Sequence, residues 1–302
     1  MKYMARILFV LIVLQVFLLG QSLEPRLYSN IPKDFNFLVT GYVYSSGALP
    51  ENSSLQDPNI KINSAFVAYA RGLDVAGKSA KIDVGIPAAC VKGNAIYNNN
   101  KVSRDVCGMG DIKARFAINL FGAPSKSLKN FASFEQDTIF GISTQITIPT
   151  GQYDKDKLVN IGTNRWALKI GTGVSKKINN FLFEIAVDAE FYTKNKDFFI
   201  GSSHVEKSQD FIYSGQIHII YTFPKGIWLA LDTNYYSGGE NYFDGSARDD
   251  ALNNSRTGLT FAFPLSKSYS VKIYGSRGVF TRAGTNFDTV GLGLQYRFAD
   301  GF

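Results

Sequence analysis

Alternation of apolar and polar residues along the chain is the feature that most constrains its fold. In the stretch VGLGLQYRF, Val290, Leu292 and Leu294 share one parity, while glycine, glutamine and arginine occupy the other. Successive side chains of a strand point to opposite faces, so this period of two predicts a strand with one apolar and one polar face. The pattern recurs and predicts twelve strands, at residues 35–45, 59–71, 79–89, 110–121, 136–148, 166–176, 181–193, 210–223, 227–237, 255–264, 269–280 and 287–298.

The lengths of these segments and of their connections favour a membrane barrel. Most segments have about ten to fourteen residues, which suits strands that cross a membrane at a tilt. Long connections (46–58, 90–109, 149–165, 194–209, 238–254) alternate with short ones (177–180, 224–226, 265–268). Aromatic residues fall near strand ends, as interfacial girdles require. The pattern predicts an all-β transmembrane antiparallel barrel of about twelve strands, of the outer-membrane type. A soluble β-sandwich is the alternative, because periodicity alone does not distinguish the inner face from the outer face.

The N-terminus indicates export. Lys2 and Arg6 precede the apolar run from Ile7 to Gly20, and small residues follow at Gly20 and Ser22. This order is typical of a secretory signal peptide. We expect residues 1–22 to be a signal peptide, residues 23–34 a periplasmic N-terminal segment, and residues 35–302 a single barrel domain. The expected location is the outer membrane of a Gram-negative bacterium after cleavage of the signal peptide.

Charge and cysteine content restrict the partners. The formal net charge is +7, the charges are scattered, and no block of like charge stands out, so nucleic acid is not an expected partner. In an oxidising compartment Cys90 and Cys107 are expected to form a disulfide. Two cysteines and two histidines are too few for a typical Cys/His metal site. No cofactor is expected.

The stretch ITIPTGQYDKDKLVNIGTNRWALKIG holds closely spaced acidic residues and glycines. Asp154 and Asp156 lack the repeated acidic spacing and closing glutamate of a calcium loop. Gly151 and Gly162 do not precede a helix, so a phosphate cradle is not expected. The stretch is interpreted as a hairpin tip outside the membrane, with solvated charges and glycines that permit turns.

Charged residues on the polar parity of the strands are the candidate lumen lining. The eight candidates are Lys113, Arg115, Lys169, Glu184, Asp188, Asp232, Lys272 and Arg297. They either line a hydrated path that biases solutes or form a salt-bridged interior that fills the barrel. Five aromatic residues either face the lumen or belong to the girdles: Tyr42, Tyr69, Tyr192, Trp228 and Tyr236.

The run PTGQYDKDKLVNIGTNRWALK resembles the signature of the outer-membrane family described as putative MetA-pathway of phenol degradation. The segments GMGDIKAR, YYSGGEN and YGSRGVFTRAGTNFDTVGLGLQYRF support the resemblance, which covers the chain from about residue 30. The resemblance implies a barrel of about twelve strands and uptake of small, often aromatic, compounds. The chain departs from the expected ending at Phe298 by continuing to Phe302, and the cysteine pair is not part of that signature.

The expected function is facilitated diffusion of small, aromatic or otherwise hydrophobic, molecules through an outer-membrane channel or transporter. The alternative is a structural or surface-interaction barrel with a plugged lumen. An enzyme is not expected, because neither His204 nor His218 has a nucleophile and an orienting group in a suitable pattern. Expected partners are outer-membrane lipid, the barrel assembly machinery and a small-molecule solute. Whether the insert at residues 123–134 plugs the pore is left open.

Overall fold

The computed structural model describes residues 23–48, 55–97, 99–200, 203–284 and 286–299. The expected signal peptide and Phe302 lie outside these residues. The strands are β1 (Phe35–Ala48), β2 (Leu55–Val75), β3 (Lys78–Tyr97), β4 (Asn100–Met109), β5 (Ile112–Phe121), β6 (Thr138–Ile148), β7 (Ala167–Ile178), β8 (Phe181–Tyr192), β9 (Asn195–Ile200), β10 (Ser203–Gln209), β11 (Ile212–Thr222), β12 (Trp228–Gly238), β13 (Asn241–Phe243), β14 (Ser246–Ala247), β15 (Leu252–Pro264), β16 (Tyr269–Thr281) and β17 (Asn286–Ala299). A short helix, α1, spans Leu128–Phe131, and a 3-10 turn spans Pro224–Gly226.

Twelve strands form a closed antiparallel barrel, as predicted. The order around the wall is β1, β2, β3, β5, β6, β7, β8, β11, β12, β15, β16 and β17, and β17 pairs again with β1 over the full length of both strands. Closure gives each of the twelve wall strands a partner on both sides and excludes the β-sandwich. Both ends of the barrel domain and the short turns lie at one end, which is the periplasmic end in barrels of this type.

The wall has its polar face inside and its apolar face outside, which is the reverse of the arrangement in a soluble protein. Along β12, Trp228, Asp232 and Asn234 point inward and are fully buried, while Leu231 points outward and is 49% exposed. The same alternation runs along the other wall strands, so large apolar side chains form the outer surface. An apolar exterior around a polar interior is the arrangement that a lipid bilayer stabilises.

Three expected loops contain strands. β3 continues to Tyr97 and pairs with β4, so residues 90–109 form a hairpin that extends the wall. Residues 194–209 and 238–254 contribute β9, β10, β13 and β14, which form a separate four-stranded sheet outside the barrel. The alternation of apolar and polar residues does not reveal these strands. They lie beyond the membrane, where both faces of a strand can contact water, so neither face has to be apolar.

Residues 23–34, expected as a periplasmic segment and here called the N-terminal segment, contact the inner wall of the barrel in the structure. They turn back from β1 and run into the barrel, where Tyr28 and Ile31 are buried. The backbone N–H of Asp34 donates to the carbonyl of Gly72, and that of Lys33 donates to Lys126, at the periplasmic mouth. A twelve-strand wall leaves more interior space than its own side chains fill. The segment occupies part of that space, and the apolar residues of the segment are thereby shielded from water.

Candidate functional site: the barrel lumen and its two closures

The lumen is lined by polar and charged side chains from most wall strands. All eight charged residues predicted for the lining lie on the inner face. Arg115, Glu184, Asp232 and Arg297 are buried, and Lys113, Lys169, Asp188 and Lys272 are half-buried. Seven of them lie along the wall of the lumen, whereas Arg297 lies at the periplasmic rim. There its Nε donates to the carbonyl of Lys267, 2.7 Å away, and holds the turn before β16.

Arg115 on β5 is the centre of a buried ion cluster. Its Nε donates to Asp83 Oδ2 at 3.0 Å, and its Nη1 donates to Glu24 Oε2 at 2.8 Å. Asp83 belongs to the neighbouring strand β3, but Glu24 belongs to the N-terminal segment. The side chains of Arg115 and Asp83 are 4% and 1% exposed, so the guanidinium depends on these carboxylates to offset the cost of its burial. The cluster joins the segment to the wall.

Glu184 and Gln216 bind the backbone of the N-terminal segment. The N–H of Arg26 donates to Glu184 Oε2 at 2.5 Å, and the N–H of Glu24 donates to Gln216 Oε1 at 2.8 Å. The Arg26 guanidinium lies over the ring of Trp228, 5.4 Å from its centroid. A single segment without secondary structure has backbone groups that need partners, and these inward-facing side chains supply them.

Tyr28 rests on two glycines of the wall. Gly141 on β6 and Gly173 on β7 are directly paired, and a Cβ atom on either would lie 2.4 Å from the Tyr28 ring. The Tyr28 hydroxyl and the Ser143 hydroxyl are 3.1 Å apart and share a hydrogen bond. Glycine at both positions therefore makes room for a ring inside the barrel.

Two further polar clusters occupy the inner wall. Lys169 and Asp188 form an ion pair at 3.9 Å, and Ser214 donates to Asp188 at 2.7 Å. His218 Nδ1 and Asp232 Oδ1 are 2.7 Å apart, and Thr260 donates to the other carboxylate oxygen of Asp232 at 2.7 Å. These pairs join adjacent strands, so part of the predicted lining stabilises the wall itself.

The periplasmic mouth is closed by apolar contacts. Phe131 of α1 packs with Ile31 of the N-terminal segment and with the inward-facing Phe37 and Phe66. The insert that carries α1 is held by backbone hydrogen bonds to the β2–β3 turn, including Ser125 N–H to Gly77. The insert at residues 123–134, whose role the sequence left open, thus packs across this mouth together with the segment.

The extracellular mouth is narrowed by residues 149–166, here called the mouth loop. Val159 and Ile161 fold inward and pack on a cluster formed by inner-face residues of β2, β3 and β17: Ile60, Ile62, Ala89, Val91 and Phe287. Arg104 Nε on the β3–β4 hairpin donates to the carbonyl of Val159 at 3.2 Å. The loop identified as a hairpin tip therefore covers part of the lumen instead of standing in solvent.

Asp111 fixes the neck of the mouth loop. Its carboxylate accepts hydrogen bonds from the N–H groups of Gly151 and Thr163, both at 2.9 Å, and from the Thr163 hydroxyl at 2.6 Å. Gly151 and Gly162 approach so closely that a Cβ on either would lie under 3 Å from the other's backbone. The two glycines serve this backbone contact, which the sequence could not reveal.

The five aromatic candidates divide between the two faces. Tyr192, Trp228 and Tyr236 face the lumen, and Arg165 of the mouth loop stacks on Tyr192 with its Cζ 4.2 Å from the ring centroid. Tyr42 and Tyr69 point outward and are 49% and 40% exposed. Trp228 lies near a strand end but is fully buried inside, so it is not a girdle residue.

The disulfide and the extracellular sheet lie beyond the barrel. Cys90 and Cys107 are directly paired on the β3–β4 hairpin, and their sulfur atoms are bonded. In the extracellular sheet, the Lys207 ammonium lies over the Phe198 ring, 4.7 Å from its centroid. Burial and, to a smaller extent, the positive charge of Arg165 lower the pKa of Lys207 to about 8, although the negative charge of Asp250 acts in the opposite direction.

Two cavities lie on opposite sides of the same part of the wall. The inner cavity, lined by Glu24, Tyr28, Arg115 and Lys169 among others, has a volume of about 20 Å³, close to that needed for one water. The outer recess has a volume of about 790 Å³ and spans β5 to β12 on the membrane-facing side. Its centre carries small side chains (Thr144, Thr172, Ala189 and Gly215) between larger ones such as Ile118 and Tyr213. Ser143, Gly171, Val187 and Asp188 border both cavities.

Glu24 and Tyr28 are the functional candidates that the sequence analysis missed. They precede the first strand and show no periodicity, so no parity argument places them. Among the described residues, no group of three or more histidine, cysteine, aspartate or glutamate side chains is placed to hold a metal ion. The helices within those residues include none that is long and apolar enough to cross a membrane.

Solved structures with a similar fold are outer-membrane barrels. An outer-membrane channel of the COG4313 group from Pseudomonas putida F1 is 20% identical, with a TM-score of 0.75, over 92% of this chain and 100% of that chain. The transport unit of the autotransporter AIDA-I from Escherichia coli is 12% identical, with a TM-score of 0.52, over 89% of this chain and 92% of that chain. The β domain of the Bordetella autotransporter BrkA is 9% identical, with a TM-score of 0.55, over 88% and 100% of the two chains. These likenesses establish the barrel fold.

Sequence comparison identifies the family. A search of curated proteins finds no match. The sequence model of one family matches residues 59–298, which include most of the wall, the β3–β4 hairpin and the mouth loop. The match covers the run from Pro149 to Lys169, whose glycines form the neck of the mouth loop. The chain therefore belongs to the family described as "Putative MetA-pathway of phenol degradation".

Proposed function

We propose that the protein is an outer-membrane channel for small, aromatic or otherwise hydrophobic, molecules, which pass when the N-terminal segment leaves the lumen. The observation that carries the proposal is that a peptide segment, in addition to the wall's own side chains, occupies part of the lumen. Among the described residues, the segment is covalently joined to the wall at β1, and its contacts with the side chains of the lumen are non-covalent. Its removal would leave a polar space along the axis of a twelve-strand barrel.

The apolar character of the solute is supported by the surfaces at both sides of the wall. The mouth loop presents Val159 and Ile161 to the extracellular end of the lumen, and the outer recess is lined mainly by apolar groups. The solved structure with the TM-score of 0.75 is named an outer-membrane channel, which supports transport for this chain as well. No catalytic step is part of the proposal.

The test is the conductance of the refolded barrel in a planar bilayer, with and without the contacts of the segment. One variant lacks residues 23–33, and a second replaces them by a glycine–serine run of equal length. Both variants should show longer and larger openings than the unaltered chain, because the wall contacts of the segment are gone. Phenol should then pass into liposomes that contain either variant faster than into protein-free liposomes.

The second candidate is a structural or surface-interaction barrel, which the apolar packing at the periplasmic mouth and the narrowing of the extracellular mouth favour. In that case both variants would remain silent although they fold, as judged by the mobility shift on heating. That outcome would overturn the channel proposal. Restored openings in both variants would overturn the structural alternative.

A further inference from the structure

The position of the Glu24 carboxylate marks a site for an anionic group on the inner wall. Arg115 Nη1 donates to this carboxylate at 2.8 Å. Four lysines of the wall also interact with it electrostatically: Lys81, Lys113, Lys169 and Lys272. A single carboxylate from outside the wall is therefore held by a guanidinium, and Lys169 lines the same small cavity.

Departure of the N-terminal segment would leave this site incomplete. Arg115 would keep Asp83, but the hydrogen bond from its Nη1 would be lost. A guanidinium has five N–H donors and binds carboxylates with directional preference. Water would hydrate the guanidinium in the vacated space, and a carboxylate at the same position would restore the charge-assisted hydrogen bond from Nη1.

A ring-sized slot lies beside the anionic site. Tyr28 fills it in the structure, with its ring on Gly141 and Gly173 and its hydroxyl at Ser143. The two glycines leave the wall without side chains there, so the slot accepts a flat group. Glu24 and Tyr28 both line the small inner cavity, which shows that the anionic site and the slot adjoin.

We propose that the wall site occupied by Glu24 and Tyr28 binds small aromatic carboxylates, whose carboxylate takes the place of Glu24 on Arg115 and whose ring takes the place of Tyr28. The inference rests on the proposed function and names the class of solute for the same lumen. The inner cavity of about 20 Å³ cannot hold such a solute beside the segment, so binding and displacement of the segment are coupled.

The first experiment uses Trp228 as the reporter of displacement, because Arg26 of the segment lies over its ring. The chain has two tryptophans, and Trp166→Phe leaves Trp228 as the only one. Benzoate is titrated at low salt into the refolded W166F barrel, and benzamide serves as the uncharged probe of the same shape. Benzoate should give a saturable change in Trp228 fluorescence, while benzamide should give a change at least tenfold weaker at equal concentration.

The second experiment removes the competing carboxylate in the same background. Glu24→Gln keeps the shape of the side chain but lacks the charge that holds it on Arg115. Benzoate should bind this variant about tenfold more tightly, since a charge-assisted hydrogen bond no longer competes. Calorimetric titration provides the affinity if the substitution alone alters the fluorescence.

The outcomes separate this inference from the proposed function. Equal responses to benzoate and benzamide, no response to either, or unchanged benzoate affinity in E24Q would overturn the aromatic carboxylate site. Openings of the segment-deleted barrel in a bilayer would still support the channel. Conversely, specific benzoate binding by a barrel that stays silent without its segment would retain the site and overturn the channel.

Discussion

Gly141 and Gly173 show at the residue scale how the wall admits the N-terminal segment. Each lies where a β-carbon would collide with the Tyr28 ring, although glycine is disfavoured inside a strand. The space they leave accepts the one tyrosine of the segment. The sequence shows glycines on the polar parity of these strands but contains no sign of the ring that they accommodate.

Gly173→Val should expel the N-terminal segment from the lumen. The added side chain would overlap the Tyr28 ring, and the wall backbone on either side is fixed by pairing with β6 and β8. Trypsin should then cleave after Arg26 in the refolded variant, whereas the unaltered chain should resist. Cleavage is followed by mass analysis of the released peptide.

Gly215→Val is the matched control for this substitution. Gly215 lies on β11, and a Cβ atom added there meets no other atom within 4 Å. This variant should keep Arg26 protected. Equal cleavage of both variants, or equal protection of both, would contradict the role assigned to Gly173.

At the scale of elements, the wall strands could be predicted from the sequence but the lumen contents could not. The alternation at Val290, Leu292 and Leu294 reflects lipid on one face and polar contacts on the other, so it marks β17 directly. The hairpin of β3 and β4 extends out of the membrane, so its strand pairing does not produce an alternation of apolar and polar residues in the sequence. Parity places Arg115 and Asp188 inside, but their partners depend on register and on a segment that shows no pattern.

The extracellular sheet should become more stable as pH rises. Burial lowers the pKa of Lys207 from its ordinary value of 10.5 to about 8, so the folded sheet binds fewer protons than the unfolded one between these values. The cost of the buried charge is full below pH 8 and is gone above pH 10.5. Resistance of residues 195–209 to limited proteolysis, measured with a protease active over this range, should therefore increase with pH.

Lys207→Met tests the assignment of this pH dependence. Methionine keeps much of the apolar stem over Phe198 but does not titrate. The variant should be as resistant at pH 8 as at pH 10. A pH dependence that survives the substitution would assign the effect to another group.

At the scale of the whole molecule, the barrel and its extracellular extension are separate layers. The barrel is closed by continuous pairing, which includes all of β1 with β17. The disulfide lies on the β3–β4 hairpin, where β4 pairs only with the outer part of β3. The covalent bond therefore supports the wall on which the mouth loop packs and is not needed to close the barrel.

Reduction of the disulfide should loosen the extension and leave the barrel intact. A bond that closes a loop of this length stabilises by about 3 kcal/mol when it constrains the unfolded chain. The double variant Cys90→Ser, Cys107→Ser should keep the mobility shift of the folded barrel on heating. Hydrogen exchange in residues 100–109 should become faster, and exchange in β12 should stay unchanged. Loss of the folded barrel band would refute this separation of layers.

The attachment of the N-terminal segment to β1 has a consequence for how the lumen responds to concentration. A ligand joined to its own receptor by a short tether acts at an effective concentration on the order of millimolar. Any solute that shares the wall contacts of Glu24 must compete against that fixed value, however dilute the protein is. The barrel would then stay closed to scarce solutes and open only at higher supply, so the tether takes part with the wall in setting that threshold.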